Sequence, residues 1–165
     1  MGILVISRIG NRLQGFNPNP IIIKRPVLEG ETTTDIFSKE KRSKIMSSIR
    51  SKDTTIEKKV GLLLKKNKIK FKKNPRMVGN PDFVITGKKV AIFCDGDFWH
   101  GRDYKARKKE LSEFWRKKIE RNMERDKETN RRLRKDGWGI IRLWECDINN
   151  SPEKCVRKIL SSLGR

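Results

Sequence analysis

The stretch Asn80–His100, N-P-D-F-V-I-T-G-K-K-V-A-I-F-C-D-G-D-F-W-H, constrains this chain more than any other. Phe83, Val84 and Ile85 form one short apolar run and Val90 to Cys94 a second, with turn chemistry at Thr86-Gly87-Lys88 between them. That pattern predicts a β-hairpin. A tight hairpin brings Asp82, before the first strand, next to Asp95 and Asp97, after the second. His100, the only histidine in the chain, follows within one turn. Carboxylates gathered at one point run against the trend of a protein with net charge +21.

The flanking segments place this hairpin in a mixed α/β sheet. Ser38 to Lys41 opens a basic helix with Ile45, Met46 and Ile49 at helical spacing. Thr54-Thr55-Ile56-Glu57 has capping-box spacing, and Ile56, Val60, Leu63 and Leu64 give the next helix a buried face. Residues 69–73 alternate as a strand. Residues 107–135 predict a long charged helix with a sparse apolar stripe that includes Leu111, Phe114, Trp115, Ile119, Met123 and Leu133. Gly137 ends it, Trp138 to Trp144 reads as a buried strand, and Pro152 starts a final amphipathic helix. Residues 1–36 differ from the rest: proline, asparagine and threonine clusters without helical period mark an N-terminal extension, and residues 37–165 form the domain.

This order puts Asp82 and Asp95 at adjoining ends of neighbouring strands, with Glu57 in the first turn of a helix able to pack there. Phosphodiester cleavage needs a hard cation held by oxygens and a group that moves a proton near neutral pH. Asp82, Asp95 and the carbonyl of Cys94 answer the first need, and His100 the second. The 41 Lys and Arg against 20 Asp and Glu predict salt-dependent binding to nucleic acid, though a merely basic or ribosomal-type protein would share that balance. Cys94, Cys146 and Cys155 lack C-x-x-C spacing, which argues for a reduced, intracellular protein over a disulfide framework; the expected location is cytoplasmic, with nucleoid association following from any DNA binding. No apolar run reaches membrane-spanning length.

The runs P-D-F and F-C-D-G-D-F-W-H, then E-F-W…K-I…N-M-E-R-D at 113–126 and W-G-I-I-R-L-W-E-C at 138–146, carry a further message. With R-S-K-I-M-S-S-I-R-S-K-D-T-T-I-E-K at 42–58, they resemble the very-short-patch repair (Vsr) endonucleases over about residues 38–163. The resemblance implies a restriction-endonuclease-like α/β core, a mixed sheet flanked by helices, and nicking of one DNA strand beside a T·G or related deamination-type mispair by metal-activated water. It also implies roles. Asp82 would be the main metal-binding carboxylate, Cys94 would ligate through its carbonyl, His100 would stand by the attacking water, and Glu57 would be an accessory acid. Phe98 and Trp99 would form an aromatic wedge in the base stack, helped by Met46. The cofactor would be Mg²⁺ or Mn²⁺ and the partner double-stranded DNA with a mispair, with other DNA repair proteins as candidate partners and the enzyme a monomer.

Two departures from the family pattern stand out. Asp95 occupies the place of a second active-site histidine and can bind metal directly. The positions of the family's structural zinc ligands read Asp97, Gly101, Arg102, Asp103 and Tyr104, leaving Cys146 alone, so structural zinc is not expected. Two alternatives stay open: an endonuclease of the same fold with a restriction-type or branched-DNA target, and a non-catalytic DNA-binding module.

Overall fold

A computed structural model describes residue 40 and residues 53–164 of the chain. The expected helix from Ser38, Met46 and the extension 1–36 lie outside the described residues, Glu40 apart. Helix α1, Thr55–Lys66, starts from Thr54, whose hydroxyl accepts the Glu57 N–H while the Glu57 carboxylate returns to the Thr54 backbone. That reciprocal capping box is the one its spacing predicts. The sheet comprises β1 (Lys72–Lys73), β2 (Phe83–Ile85), β3 (Val90–Asp95) and β4 (Gly139–Trp144), in spatial order β1-β2-β3-β4. Strand β2 is antiparallel to β1 and β3, whereas β4 is parallel to β3. Parallel pairing requires a crossover, which α3 (Glu113–Lys135) supplies. The mixed α/β architecture expected from the sequence is therefore present.

The hairpin closes through a 3₁₀ turn at Thr86–Lys88 and a left-handed Lys89. Alternation along β3 divides its side chains between two cores. Ile92, with Ile141 and Leu143 of β4, packs against Val60 and Leu64 of α1 and Ile159 of the final helix, α5 (Pro152–Ser162). On the opposite face Ala91 and Phe93 pack against Leu133 of α3. A third cluster, Phe98, Tyr104, Leu111, Trp115 and Ile119, sits under the loop after β3. No described helix is long and apolar enough to cross a membrane.

Three elements differ from expectation. The strand placed at 69–73 shortens to Lys72–Lys73, because Lys68 adopts a positive φ and the Ile69 N–H still caps α1 through the Leu64 carbonyl. The long helix starts at Glu113, not 107: residues Tyr104–Arg107 form a short helix, α2, and both Leu111 and the N-cap Ser112 are extended before the chain becomes helical again at Glu113. Glu145–Asn150 forms a further helix, α4, for which periodicity gave no sign. Gly137 ends α3 at φ +77°, the left-handed position that glycine occupies without steric cost.

Candidate active site

Where β2 ends, the side chain of Asp82 takes over its pairing. The backbone N–H of Asp82 donates to the Ile92 carbonyl at 3.0 Å, and the Cys94 N–H donates to Asp82 Oδ2 at 2.7 Å. A residue's N–H and C=O leave an extended strand on the same side, so the Cys94 carbonyl leaves β3 toward that same edge. Asp82 is buried enough that its pKa is pushed up to about 6; the Cys94 hydrogen bond opposes this, and the charges of Glu57 and Asp95 add to it. The cation in its field, Lys73, is itself paired with Asp53.

Asp95, the last residue of β3, lies on the α3 side of the sheet and is 2% exposed. Arg142 of β4 reaches it from the same face, its Nη1 donating to Oδ1 at 3.0 Å and Oδ2 at 2.9 Å. The same nitrogen is 3.0 Å from Asp126 Oδ2 of α3, Nε lies 3.4 Å from Asn130 Oδ1, and the guanidinium sits over the Phe93 ring at 4.8 Å. Burial raises the Asp95 pKa against the lowering effects of His100 and Arg142. Both Asp95 oxygens accept from a guanidinium, so metal ligation by Asp95 would have to use its remaining lone pairs.

His100 sits in the loop after β3, its N–H donating to the Gly96 carbonyl at 3.1 Å. Its Nδ1 is 2.6 Å from Asp126 Oδ2 and 3.6 Å from Asp95 Oδ1. A carboxylate at that distance accepts a hydrogen bond from Nδ1–H, the tautomer in which Nε2 carries the free lone pair. Burial acts against ionisation of Asp126, but the hydrogen bond and charge of His100 together with Arg142 outweigh it and hold its pKa below the usual carboxylate value. Gly101 (φ +70°) lets this loop press on α3, since a Cβ there would lie 2.6 Å from the Met123 Sδ. Charge ties the loop to α4: Asp97 Oδ2 accepts the Cys146 N–H at 3.1 Å, and Arg102 spans Asp147 at 3.1 Å and Asp97 at 3.7 Å.

Glu57 is 3% exposed and faces the site from α1, but its carboxylate is occupied as a cap. It accepts from Asp53 N at 2.9 Å, Thr54 N at 3.2 Å and Thr54 Oγ1 at 2.7 Å. Phe98 and Trp99 both join the third cluster: Phe98 is buried, Trp99 partly exposed, and each meets the Trp115 ring edge-on at 5.6 Å. Burial raises all three thiols above their ordinary pKa, so none is a thiolate near neutral pH.

Asp126 and Arg142 are the site residues that sequence reading missed, and both left a signal. Asp126 stands at helical spacing in the stripe Trp115, Ile119, Met123, where an acid needs a partner. Arg142 interrupts a buried strand, and a buried guanidinium implies a carboxylate. Among the described residues no three His, Cys, Asp or Glu side chains converge into a metal cage. The donors that do converge, the buried Asp82 carboxylate and a strand carbonyl, would suit Mg²⁺, which keeps several waters and takes one or two carboxylates plus substrate phosphate.

Comparison with known proteins identifies the family of the chain. The family model described as DNA mismatch endonuclease Vsr matches residues 34–106. The chain is 39% identical over 129 residues to the type II nicking enzyme V.NmeDIP of Neisseria meningitidis serogroup C, covering 76% of this chain and 87% of that protein. It is 40% identical to V.HpaIIP of Haemophilus parainfluenzae, another type II nicking enzyme, over 78% of this chain and 95% of the relative. Identity to DNA mismatch endonuclease Vsr of Escherichia coli (strain K12) is 37%, over 69% of this chain and 75% of that enzyme. The chain thus belongs to the Vsr family of DNA mismatch endonucleases, whose core is restriction-endonuclease-like.

Proposed function

We propose that this DNA endonuclease nicks one strand at or next to a mispaired base, T·G or a related deamination product, with a divalent cation as cofactor. The observation that carries the reading is the chain of acids at one sheet end: buried Asp82 lies in the field of Asp95, which is 3.6 Å from His100, an imidazole whose Nδ1 is held by Asp126. The names of the relatives speak for the same reading, one a mismatch endonuclease and two nicking enzymes.

Asp82 and the Cys94 carbonyl would hold Mg²⁺ or Mn²⁺. Bound there, the ion would supply positive charge for the phosphate and lower the pKa of water. The chain's own residues do the rest. His100 takes a proton at Nε2 from the attacking water, and Asp126 fixes its tautomer and stabilises the imidazolium that forms. Arg142 keeps Asp95 and Asp126 from repelling each other beside that ring. Trp99, braced by Phe98 and Trp115, offers the exposed aromatic edge that enters the base stack; Met46 would approach from the other side. Unstacking a step costs a few kcal/mol, least at a mispair, so insertion itself favours damaged DNA.

The test is cleavage of labelled duplexes carrying T·G, U·G, other mispairs or perfect pairing, with Mg²⁺ or EDTA, by the wild type and Asp82→Ala. One-strand, Mg²⁺-dependent nicking at T·G that Asp82→Ala abolishes is the expected result. Cutting of perfect duplex at equal rate overturns the mispair specificity, and cutting in EDTA overturns the metal requirement.

A further inference from the structure

We propose that one flank of α3, formed by Lys118, Arg121, Arg125 and Arg132, is the track along which the DNA backbone lies beside the active site. The proposal rests on the nuclease reading above and adds the residues that hold the phosphates. These cations recur at steps of three, four and seven residues and so line one flank of the helix. Phe114, an exposed aromatic 4.9 Å from the Trp115 ring, continues the flank to the aromatic cluster.

The distribution of acids sets this flank apart. On the outer face of α3 three cations are neutralised in place: Lys117 pairs with Glu113, Lys127 with Glu124 and Arg131 with Glu128, which leaves Lys135 there without an ion pair among the described residues. Glu120, on that same face, pairs with Lys108. None of Lys118, Arg121, Arg125 and Arg132 makes an ion pair or side-chain hydrogen bond among the described residues, although Arg132 lies in the field of Glu128. Arg116 and Arg134, on the opposite flank, also lack an ion pair among the described residues, but they are two turns or more apart, whereas the four cations here form a line of about 21 Å, at 1.5 Å per residue, with no acid in it.

Its position makes the line useful. Two neighbouring residues of α3 show which way the flank faces. Thr129, on its inner margin, packs against Gly79, where a Cβ would lie 2.1 Å from the threonine Cγ2. Asn130, on the far side of the buried face, reaches Arg142 of β4. The cationic flank is therefore on the β1–β2 side, where the loop after β1 leads into Asp82. Ile119 packs with Phe98 and Leu133 with Ala91, so Lys118, Arg121 and Arg125 occupy the end of the helix nearest the site. Phosphates held along this line would lead to Asp82 and His100 with the bases toward Trp99.

The decisive measurement is the salt dependence of binding to a fully paired duplex in EDTA, where no cleavage occurs. The full chain carrying Lys118→Gln, Arg121→Gln, Arg125→Gln and Arg132→Gln is compared with one carrying Lys117→Gln, Lys127→Gln, Arg131→Gln and Lys135→Gln, which changes net charge equally. With roughly 0.9 counterions released per phosphate contact, the flank variant should lose about three to four from the slope of log K against log salt, and the outer-face variant about one or less. Equal slope losses in the two variants, or no loss in the flank variant, overturn the proposal. Should the fourfold variant fail to fold, Arg121→Gln and Arg125→Gln singly should each lower the slope by about one, and unchanged slopes overturn it equally. A protein that binds in this way yet cuts nothing refutes the nuclease reading alone; nicking at T·G with unaltered slopes refutes the track alone.

Discussion

At Asp82, function and stability pull in opposite directions. Its folded pKa, about 6, lies above the ordinary 3.8, so the folded chain holds this proton more tightly than the unfolded chain does. Ionisation therefore costs stability, not at all well below the ordinary value, progressively between the two, and fully above about 6. Asp82→Asn removes that cost while an amide oxygen can still accept the Cys94 N–H. The metal-free variant should be more stable than wild type at pH 7.5, by up to about 3 kcal/mol, with the gain vanishing toward pH 4. Thermal melts at both pH values check it, and cleavage should be lost at either. Asp126→Asn is the complementary case. An amide cannot fix the Nδ1–H tautomer as a carboxylate does, so kcat should fall by roughly 10²–10⁴-fold. DNA affinity should change little, since Asp126 faces His100 and Arg142, and single-turnover kinetics with parallel binding measurements separate the two.

Among the elements, β3, β4 and α3 are joined by one side chain. Arg142 on β4 holds Asp95 on β3 and Asp126 on α3, and removing it leaves a buried and a half-buried carboxylate against His100. Arg142→Met should destabilise the protein by about 3–5 kcal/mol, the penalty of an unpaired buried charge. Adding Asp95→Asn should recover a large part of it, and a denaturant double-mutant cycle measures how much. On the other face, Glu57 caps α1 with both oxygens. Glu57→Ala should cost about 1 kcal/mol of stability, a typical capping value, and leave kcat within a few fold of wild type. A kcat loss comparable to that of His100→Ala would instead restore the accessory acid implied by resemblance.

For the whole molecule, a net charge of +21 acts in two directions. Like charges repel within the free protein, so added salt should raise its melting temperature while lowering its affinity for DNA. Melts and binding isotherms across 50–400 mM KCl would show the opposing trends; a melting temperature that falls with salt would mean that internal ion pairs outweigh the self-repulsion.

The hairpin, the capping box, the mixed α/β layout and the gathering of Asp82, Asp95 and His100 were legible in the chain because each depends on local chemistry: turn residues, alternation, caps and short spacing. The partners of those residues were not. Asp126 and Arg142 are distant in sequence from His100 and Asp95, and only the crossover of α3 and the parallel pairing of β4 bring them within hydrogen-bond reach. The same contacts assigned Asp95 to a guanidinium and packed Phe98 with Trp99 and Trp115 into one cluster. Local propensity sets which groups a strand end offers. Which charge neutralises which is decided by burial, since a carboxylate removed from water must find its partner wherever the fold has placed one.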